Sequence, residues 1–346
     1  MFLRNCWYVA AWDREVARAP LARTILGEPI VLYRKADGTP VALEDRCCHR
    51  HLPLSMGVLA EDDIRCGYHG LRFDSSGACV EVPGQARIPA GARVRSYPAV
   101  EKWNWVWIWM GDPSRANTGL IPNWWWTNHP EWACTKPDRI PLRCNYQLIS
   151  DNVLDVTHLV YVHASSIGSG AISEFPVTIE REERLVRMKR WILDRPAPPM
   201  YQAAGNFSGN VDRWQIVEHI PPCFSVNFAG CADAGTGAPQ GNRAGKRIDL
   251  MALSAPTPET ERTTHYFFAF VRAFGLDDAA MEKVFAVDMV KVFREDVAVL
   301  EAQQRMMEWK PGAPQVSIAV DAAPVAARKM LEVMMAAERE TAASAA

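Results

Sequence analysis

Cys47-x-His49 and Cys66-x-x-His69 are the residues of this sequence best suited to chemistry. Each short segment offers one thiolate and one imidazole. That set suits a [2Fe–2S] cluster with the cysteines on one iron and the histidines on the other, a centre that moves one electron at a time. Zinc also takes two cysteines and two histidines, but zinc fingers and ribbons usually open with a Cys-x₂₋₄-Cys pair. Here the thiolates are kept apart. His51, in Cys-Cys-His-Arg-His, is surplus by ligand count and reads as a surface or hydrogen-bonding residue, and Cys48 points away by strand alternation.

A second constellation runs from Asp151 to His163. Asn152, Asp155 and His158 fall at i, i+3 and i+6 and can share one helix face. His163 stands about 140° further round an ideal helix than His158, so the two serve one ion only if the helix ends or distorts between them. Two histidines and one carboxylate with open positions form the facial triad of non-haem Fe(II) oxygenases. Asp155 is one candidate carboxylate. Asp296 is the better one: a long C-terminal helix carries an apolar stripe through Phe285, Met289, Val292 and Val299, with Asp296 in its middle. A carboxylate there is costly without a partner, and iron is a natural one. Glu295 falls beside Asp288 and Lys291 on the polar side. Asp155 is then left to orient a ligating imidazole or to touch a cluster histidine, with Asn152 beside it as a further candidate catalytic residue.

The elements that must position these groups are of two kinds. The first third is β-rich. Ile30–Tyr33 and Val41–Leu43 flank one turn, Gly70–Phe73 and Cys79–Val82 another. Trp103, Trp105, Trp107 and Trp109 alternate, which places all four on one strand face as packing. A Pro/Gly/Asn-rich stretch follows. The remainder is mixed: strands over 177–191, 214–229 and 264–271, a helical start at 145, and helices over 278–309 and 322–338. The expected division is a first domain over 1–115, a linker over 116–130, a catalytic domain over 131–340 and a disordered tail over 341–346.

The 346 residues are 49% apolar and 23% charged with a net charge of −2, the balance of a globular protein. No basic run points to nucleic acid or an anionic membrane. No apolar run is long enough to span a bilayer, and the first residues lack the apolar core of a signal peptide, so a cytoplasmic location is expected. Nine cysteines, an odd number, argue against a disulfide framework.

Taken together, the two cysteine–histidine pairs, the Asn-x-x-Asp-x-x-His-x₄-His segment and the late helical Asp resemble the oxygenase component of Rieske non-haem iron oxygenases. The opening Arg-Asn-Cys-Trp-Tyr-Val-Ala-Ala, Tyr161–Gly168, Asp212-Arg-Trp-Gln-Ile216 and Thr257-Pro-Glu-Thr-Glu261 look most like the vanillate O-demethylase group, with toluenesulfonate methyl-monooxygenase and dicamba demethylase as its relatives. The resemblance implies an α+β chain: an all-β Rieske domain, then a helix-grip (START/Bet v1-like) domain with an antiparallel sheet. It implies Cys47, His49, Cys66 and His69 on a [2Fe–2S] Rieske cluster, and His158, His163 and Asp296 on a mononuclear Fe(II). It implies a homotrimer in which Asp155 bridges His69 of one chain to His158 of the next. Cys48 departs from the Pro common at that position, which is not a ligand position. Asn227, Ser254 and Val287 are the expected substrate wall.

The expected activity is O2-dependent O-demethylation of a methoxylated aromatic acid to a phenol and formaldehyde. Electrons come from a separate flavin/ferredoxin-type reductase, because the chain has no Gly-rich nucleotide fingerprint. Aryl-methyl or ring hydroxylation is the nearest alternative. A ferredoxin-type electron carrier is a further one, against which the second histidine pair speaks.

Overall fold

The structure, a computed structural model, describes residues 1–163, 174–242 and 246–344. The chain divides into two units: Met1–Asn123 with Thr257–Glu261, and Trp124–Pro256 with Arg262–Ala346.

The first unit carries eleven described strands: β1 (Trp7–Trp12), β2 (Leu21–Ile25), β3 (Glu28–Arg34), β4 (Pro40–Glu44), β5 (Val58–Ala60), β6 (Asp63–Arg65), β7 (Arg72–Phe73), β8 (Cys79–Glu81), β9 (Ser96–Tyr97), β10 (Ala99–Lys102) and β11 (Trp105–Trp109). They form three small sheets, β1-β11-β10, β2-β3-β4-β9 and β5-β6-β7-β8. Both expected hairpins are present, as β3–β4 and β7–β8. The tryptophan row is shorter than its alternation suggests. Trp105, Trp107 and Trp109 lie on β11, but Trp103 and Asn104 both have positive φ. They make the two-residue turn between β10 and β11, the twist that tight hairpins favour. Leu26 and Gly27 make the equivalent turn between β2 and β3. Their N–H groups donate to the carbonyls of Pro258 and Glu259, and Thr257 Oγ1 donates to the Val9 carbonyl at 2.7 Å. The Thr257–Glu261 segment therefore belongs to this unit's hydrogen-bonded frame.

The second unit is built on an eight-stranded antiparallel sheet: β12 (Ala133–Thr135), β13 (Ile140–Leu142), β14 (Val177–Glu182), β15 (Leu185–Arg195), β16 (Val211–Ile220), β17 (Phe224–Asp233), β18 (Arg247–Pro258) and β19 (Thr264–Arg272). Its order is β12-β19-β18-β17-β16-β15-β14, with β13 also on β19. The stretch 177–191 is thus two strands rather than one, 214–229 spans two more, and β18 has no counterpart in the sequence reading. Its Ala, Ser and Pro content lowers the strand signal. Trp124 and Trp126 pack on Phe224 and Phe228 of β17.

The helices are α1 (Tyr146–Leu154), α2 (Leu159–Val162), α3 (Pro199–Gly205), α4 (Ala279–Lys283), α5 (Met289–Trp309) and α6 (Ala322–Ser344). Between α4 and α5 the backbone makes a π turn over Val284–Asp288. α6 continues through Ser344, so the tail expected to be irregular after Glu340 is helical over its described residues. α5 lays Met289, Val292 and Phe293 on the sheet, where Phe293 stacks on Phe268 at 4.7 Å. Val299, placed in the stripe by spacing, is 43% exposed, and Leu300 takes its place. α6 uses small residues, Ala323, Ala326 and Ala327, to approach Leu154 and Leu159 closely.

These helices hold α1 at both ends. Glu301 and Gln304 of α5 accept from the N–H groups of Arg143 and Asn145, and Asn145 Oδ1 caps α1 by accepting from Gln147 N. Arg328 of α6 grips both oxygens of Asp151. Burial pushes the Asp151 carboxyl up despite that guanidinium, so its charge depends on Arg328.

His219 on β16 is fully buried, with Nδ1 2.9 Å from Ser225 Oγ. Burial pushes its imidazole down from 6.5 to about 4. The unfolded chain takes up this proton near pH 6.5 and the folded chain does not, so stability is complete above 6.5 and falls as pH drops toward 4. We expect about 2 kcal/mol of loss at pH 5 from this residue. Thermal melts at pH 7 and 5 check it: His219→Gln narrows the difference, and an unchanged difference assigns the acid sensitivity elsewhere.

Candidate active site

The first centre is made by two matching loops. Cys47 follows β4 and Cys66 follows β6 directly. Each cysteine N–H donates to the carbonyl five residues on, Cys47 to Leu52 and Cys66 to Leu71. Each cysteine carbonyl accepts from the N–H four residues on, from His51 and from Gly70. The residue at that fourth position is left-handed in both loops: His51 at φ 61° and Gly70 at φ 77°. This settles the place of His51. It fills a backbone position that its counterpart fills with glycine, and it is exposed. Gly67 is glycine for a different reason, since a Cβ there would lie 2.7 Å from the Met56 carbonyl oxygen. Asp45 braces the first loop by accepting from Ser55 N and Oγ at 2.7 and 2.6 Å.

Both thiols are buried at 2% exposure, whereas His49 and His69 lie at the surface with ring centroids 4.5 Å apart. Burial pushes the Cys47 thiol up to about 11, with Cys66 beside it adding to the rise. A cationic centre against the thiols reverses that penalty. Inner thiolates and outer imidazoles on paired loops fit a [2Fe–2S] cluster held by two ligands from each loop. Cys48 is half-buried and packs with the core behind the loops.

The second centre lies wholly in the second unit. α1 ends at Leu154, and Asp155 is extended at φ −103°, ψ 92°. His158 and His163 then flank the four-residue α2, which is anchored by Leu159. The spacing calls for a break between the two histidines; the chain instead breaks before His158, keeps a short helix between them, and leaves helical geometry at His163, where φ is −107° and ψ 25°. His163 Nε2 is 3.1 Å and His158 Nε2 3.5 Å from Asp296 Oδ1. The three potential ligand atoms lie within 4.8 Å of one another, the one such set among the described residues.

Each imidazole is oriented through its other nitrogen. His158 Nδ1 donates to the Asp155 backbone carbonyl, and His163 Nδ1 donates to Glu295 Oε2 at 2.6 Å. Both Nε2 atoms are thereby directed at the common point. Two expectations change here. Within the chain it is the carbonyl of Asp155, not its carboxylate, that orients His158. The carboxylate accepts from Thr157 N at 2.8 Å. Glu295, read from spacing as a solvent-side residue, is the partner of His163. The signal that could have found it is its adjacency to Asp296, which lets one helix turn reach both the ion and the imidazole behind it. Asn152 Nδ2 donates to Asp296 Oδ1 at 3.2 Å and lies 3.4 Å from His158 Nε2. Burial pushes the His163 imidazole down, but Asp296 and Glu295 outweigh it and hold it above the ordinary histidine value in the metal-free chain. A divalent cation takes over the role of that proton, and the two-nitrogen, one-carboxylate donor set fits Fe(II).

A cavity of about 240 Å³ opens from this point between the sheet and α5. Asn227 and Ser254 line it as expected. Val287 does not: it sits in the π turn, 41% exposed. That turn rotates the helix face by part of a turn relative to a regular helix. The liners Arg213, Gln215, Tyr201 and Met200 have no place in the expected substrate wall.

Comparison with known proteins agrees with this geometry. Residues 6–98 match the Rieske [2Fe-2S] domain, and residues 142–337 match the vanillate O-demethylase oxygenase C-terminal domain. The chain belongs to the Rieske non-haem iron oxygenases. It is 44% identical to the toluene-4-sulfonate monooxygenase system iron-sulfur subunit of Comamonas testosteroni, covering 98% of each chain. It is 36% identical to a vanillate O-demethylase oxygenase subunit of a Pseudomonas species, covering 100% of this chain and 98% of that one. The crystal structure of dicamba monooxygenase bound to dicamba superposes with a TM-score of 0.89 at 34% identity, covering 98% of this chain and 99% of that one. The same enzyme with non-haem iron and dicamba gives 0.84 at 32%, covering 98% and 99%. This Rieske oxygenase is accordingly the terminal oxygenase component of a multicomponent monooxygenase, working with a separate reductase on a [2Fe–2S] cluster and a mononuclear iron.

Three outcomes follow. Glu295→Ala frees the back of His163 and lowers iron affinity by about 10–100-fold, whereas Asp296→Ala removes bound iron and leaves the cluster's visible spectrum intact. Metal analysis beside an absorption spectrum reads both, and full iron retention in Asp296→Ala overturns its place as a ligand. His51→Gly keeps the cluster spectrum and stabilises the loop by up to about 1 kcal/mol, because glycine adopts the left-handed conformation freely. Bleaching in that variant makes His51 a ligand.

Proposed function

We propose that this oxygenase hydroxylates a methyl carbon carried by an aromatic acid, with O-demethylation of a methoxylated acid to a phenol and formaldehyde as its principal reaction. The single observation that carries the reading is the cavity beside His158, His163 and Asp296. An apolar cavity of about 150 Å³ takes benzene, so about 240 Å³ suits one ring with two or three substituents. Tyr266, Phe270, Phe293, Met289 and Val292 give it apolar and aromatic walls, which seat a ring and keep bulk water out.

In this reading Cys47, His49, Cys66 and His69 hold the cluster, and His158, His163 and Asp296 hold the iron. When bound, the cluster would supply electrons singly and the iron would supply O2 activation. Per turnover one O2, two electrons and two protons convert the methoxy group to a phenol, formaldehyde and water. Asn152 fixes the Asp296 carboxylate through its Nδ2. Asp155 is assigned the link between the centres: its Thr157-bound carboxylate is half-buried and on the segment that orients His158. A homotrimer in which that link runs to a neighbour's His69 is the assembly we infer. The apolar side chains left in solvent in this unit support it: Met56, Val58 and Tyr68, the last with its ring 3.9 Å from that of His69. The division at 1–115, 116–130 and 131–340 and a cytoplasmic location belong to the same reading; among the described residues no helix is long and apolar enough to cross a membrane.

A second reading, hydroxylation of an aryl methyl group to an alcohol, is favoured by the 44% identity to the toluene-4-sulfonate monooxygenase subunit. Incubation with a reductase, NADH and paired methoxy and methyl aromatic acids separates the two. Formaldehyde in step with electron use supports demethylation, benzylic alcohol without formaldehyde supports the second, and neither product from any acid removes both. Asp155→Asn slows electron transfer between the centres by at least about ten-fold while both metals stay bound; an undiminished rate removes the linking role.

A further inference from the structure

The Asp212-Arg-Trp-Gln-Ile216 segment lies on β16, and strand alternation sends Arg213 and Gln215 to the face that lines the cavity. Arg213 is 6% exposed. Its guanidinium lies over the Tyr201 ring at 5.6 Å, but no carboxylate among the described residues comes within ion-pair distance, and its Nε meets no acceptor. Two further groups in the same cavity lack partners, Gln215 Oε1 and Asn227 Oδ1. Buried polar groups are almost always hydrogen-bonded, and a buried cation without a counter-charge is costly. Of the other buried arginines, Arg272 is held by Glu282 and two carbonyls and Arg23 by Glu15, while Arg190, which also lacks an ion pair among the described residues, donates to Thr157 Oγ1 and does not line the cavity.

We propose that Arg213 anchors the anionic group of the substrate, a carboxylate or sulfonate, with Gln215 as its neighbouring donor. The amide can turn its Nε2 inward, since either orientation fits the same side-chain shape, and the planar guanidinium suits two-point contact with an oxyanion. Strand register places this anchor away from the metal-binding side chains. Ser254 bonds Tyr266, the ring that feels the Asp296 charge. Ser254 pairs with Ser225, and Ser225 with His219, six residues along β16 from Arg213. An aromatic acid seated on Arg213 therefore presents the substituent opposite its acid group to His158, His163 and Asp296. This rests on the cavity being the substrate site of the proposed function.

The test uses the holoenzyme and two probe pairs, 4-methoxybenzoate with 4-methoxybenzamide, and 4-toluenesulfonate with its sulfonamide. Calorimetry measures binding, and turnover is followed with reductase. Wild type binds each acid tighter than its amide by about ten-fold or more. Arg213→Met, close in length, brings the ratio to about one at unchanged iron content. Should that variant fail to fold, Arg213→Lys retains the charge but loses the second contact, and it lowers the ratio by several-fold through KM rather than kcat. The pair with the larger ratio tells carboxylate from sulfonate. Equal affinity for acid and amide in wild type, or an acid preference that survives Arg213→Met or is unmoved in Arg213→Lys, overturns the proposal. An acid preference that Arg213→Met erases, together with no oxidation of any probe, upholds the anion site and counts against the proposed reaction instead.

Discussion

Two imidazoles can face one carboxylate only if something else holds the back of each ring. That constraint organises the second unit. The Asp155 carbonyl takes His158 Nδ1, and Glu295 takes His163 Nδ1. The first partner exists because α1 stops at Leu154 and leaves a carbonyl free of helical bonding. The second exists because α5 carries two consecutive carboxylates, one toward the cavity and one toward His163. A regular helix through 152–163 would satisfy its own backbone, lose the free carbonyl and leave the two imidazoles about 140° apart. The apparatus that keeps α1 short and fixed, the Asn145 cap, the Gln304 and Glu301 acceptors and the Asp151–Arg328 grip, is in this sense part of the site.

The first unit solves a related problem by repetition. Two loops with the same hydrogen-bonded frame place buried thiols behind exposed imidazoles. The frame needs a left-handed residue at its fourth position, and the chain supplies histidine once and glycine once. Chemistry and conformation thus use the same residue type within three positions of each other: His49 stands where a donor is needed, His51 where a backbone angle is needed.

Much of this was legible in the residues. Ligand spacing distinguishes the cluster from zinc because donor order along the chain reflects which loop each donor comes from. That one regular helix cannot aim both His158 and His163 at one ion follows from helical angles alone, although not where the chain breaks, which is before His158. The position of Asp296 follows from its apolar neighbours, because a charge in such a stripe demands a partner. What stayed hidden depends on tertiary contact. Glu295 has the spacing of a solvent residue, and only the arrival of His163 from a distant segment gives it a role. Val287 has cavity-facing spacing in a regular helix, and the π turn moves it to the surface. Trp103 continues an alternation that the hairpin turn interrupts. Strand β18 hides because alanine, serine and proline break up its β-branched signal, and two of those small residues, Ala252 and Ser254, leave room for the cavity.

The Thr257–Glu261 segment sets an order of events for the chain as it is made. The Leu26–Gly27 turn and β1 wait for acceptors and donors that lie some 230 residues downstream in sequence, so the N-terminal unit cannot be finished when its own residues have left the ribosome. It stays open along that edge until most of the second unit has been synthesised, and contacts this distant in sequence form slowly.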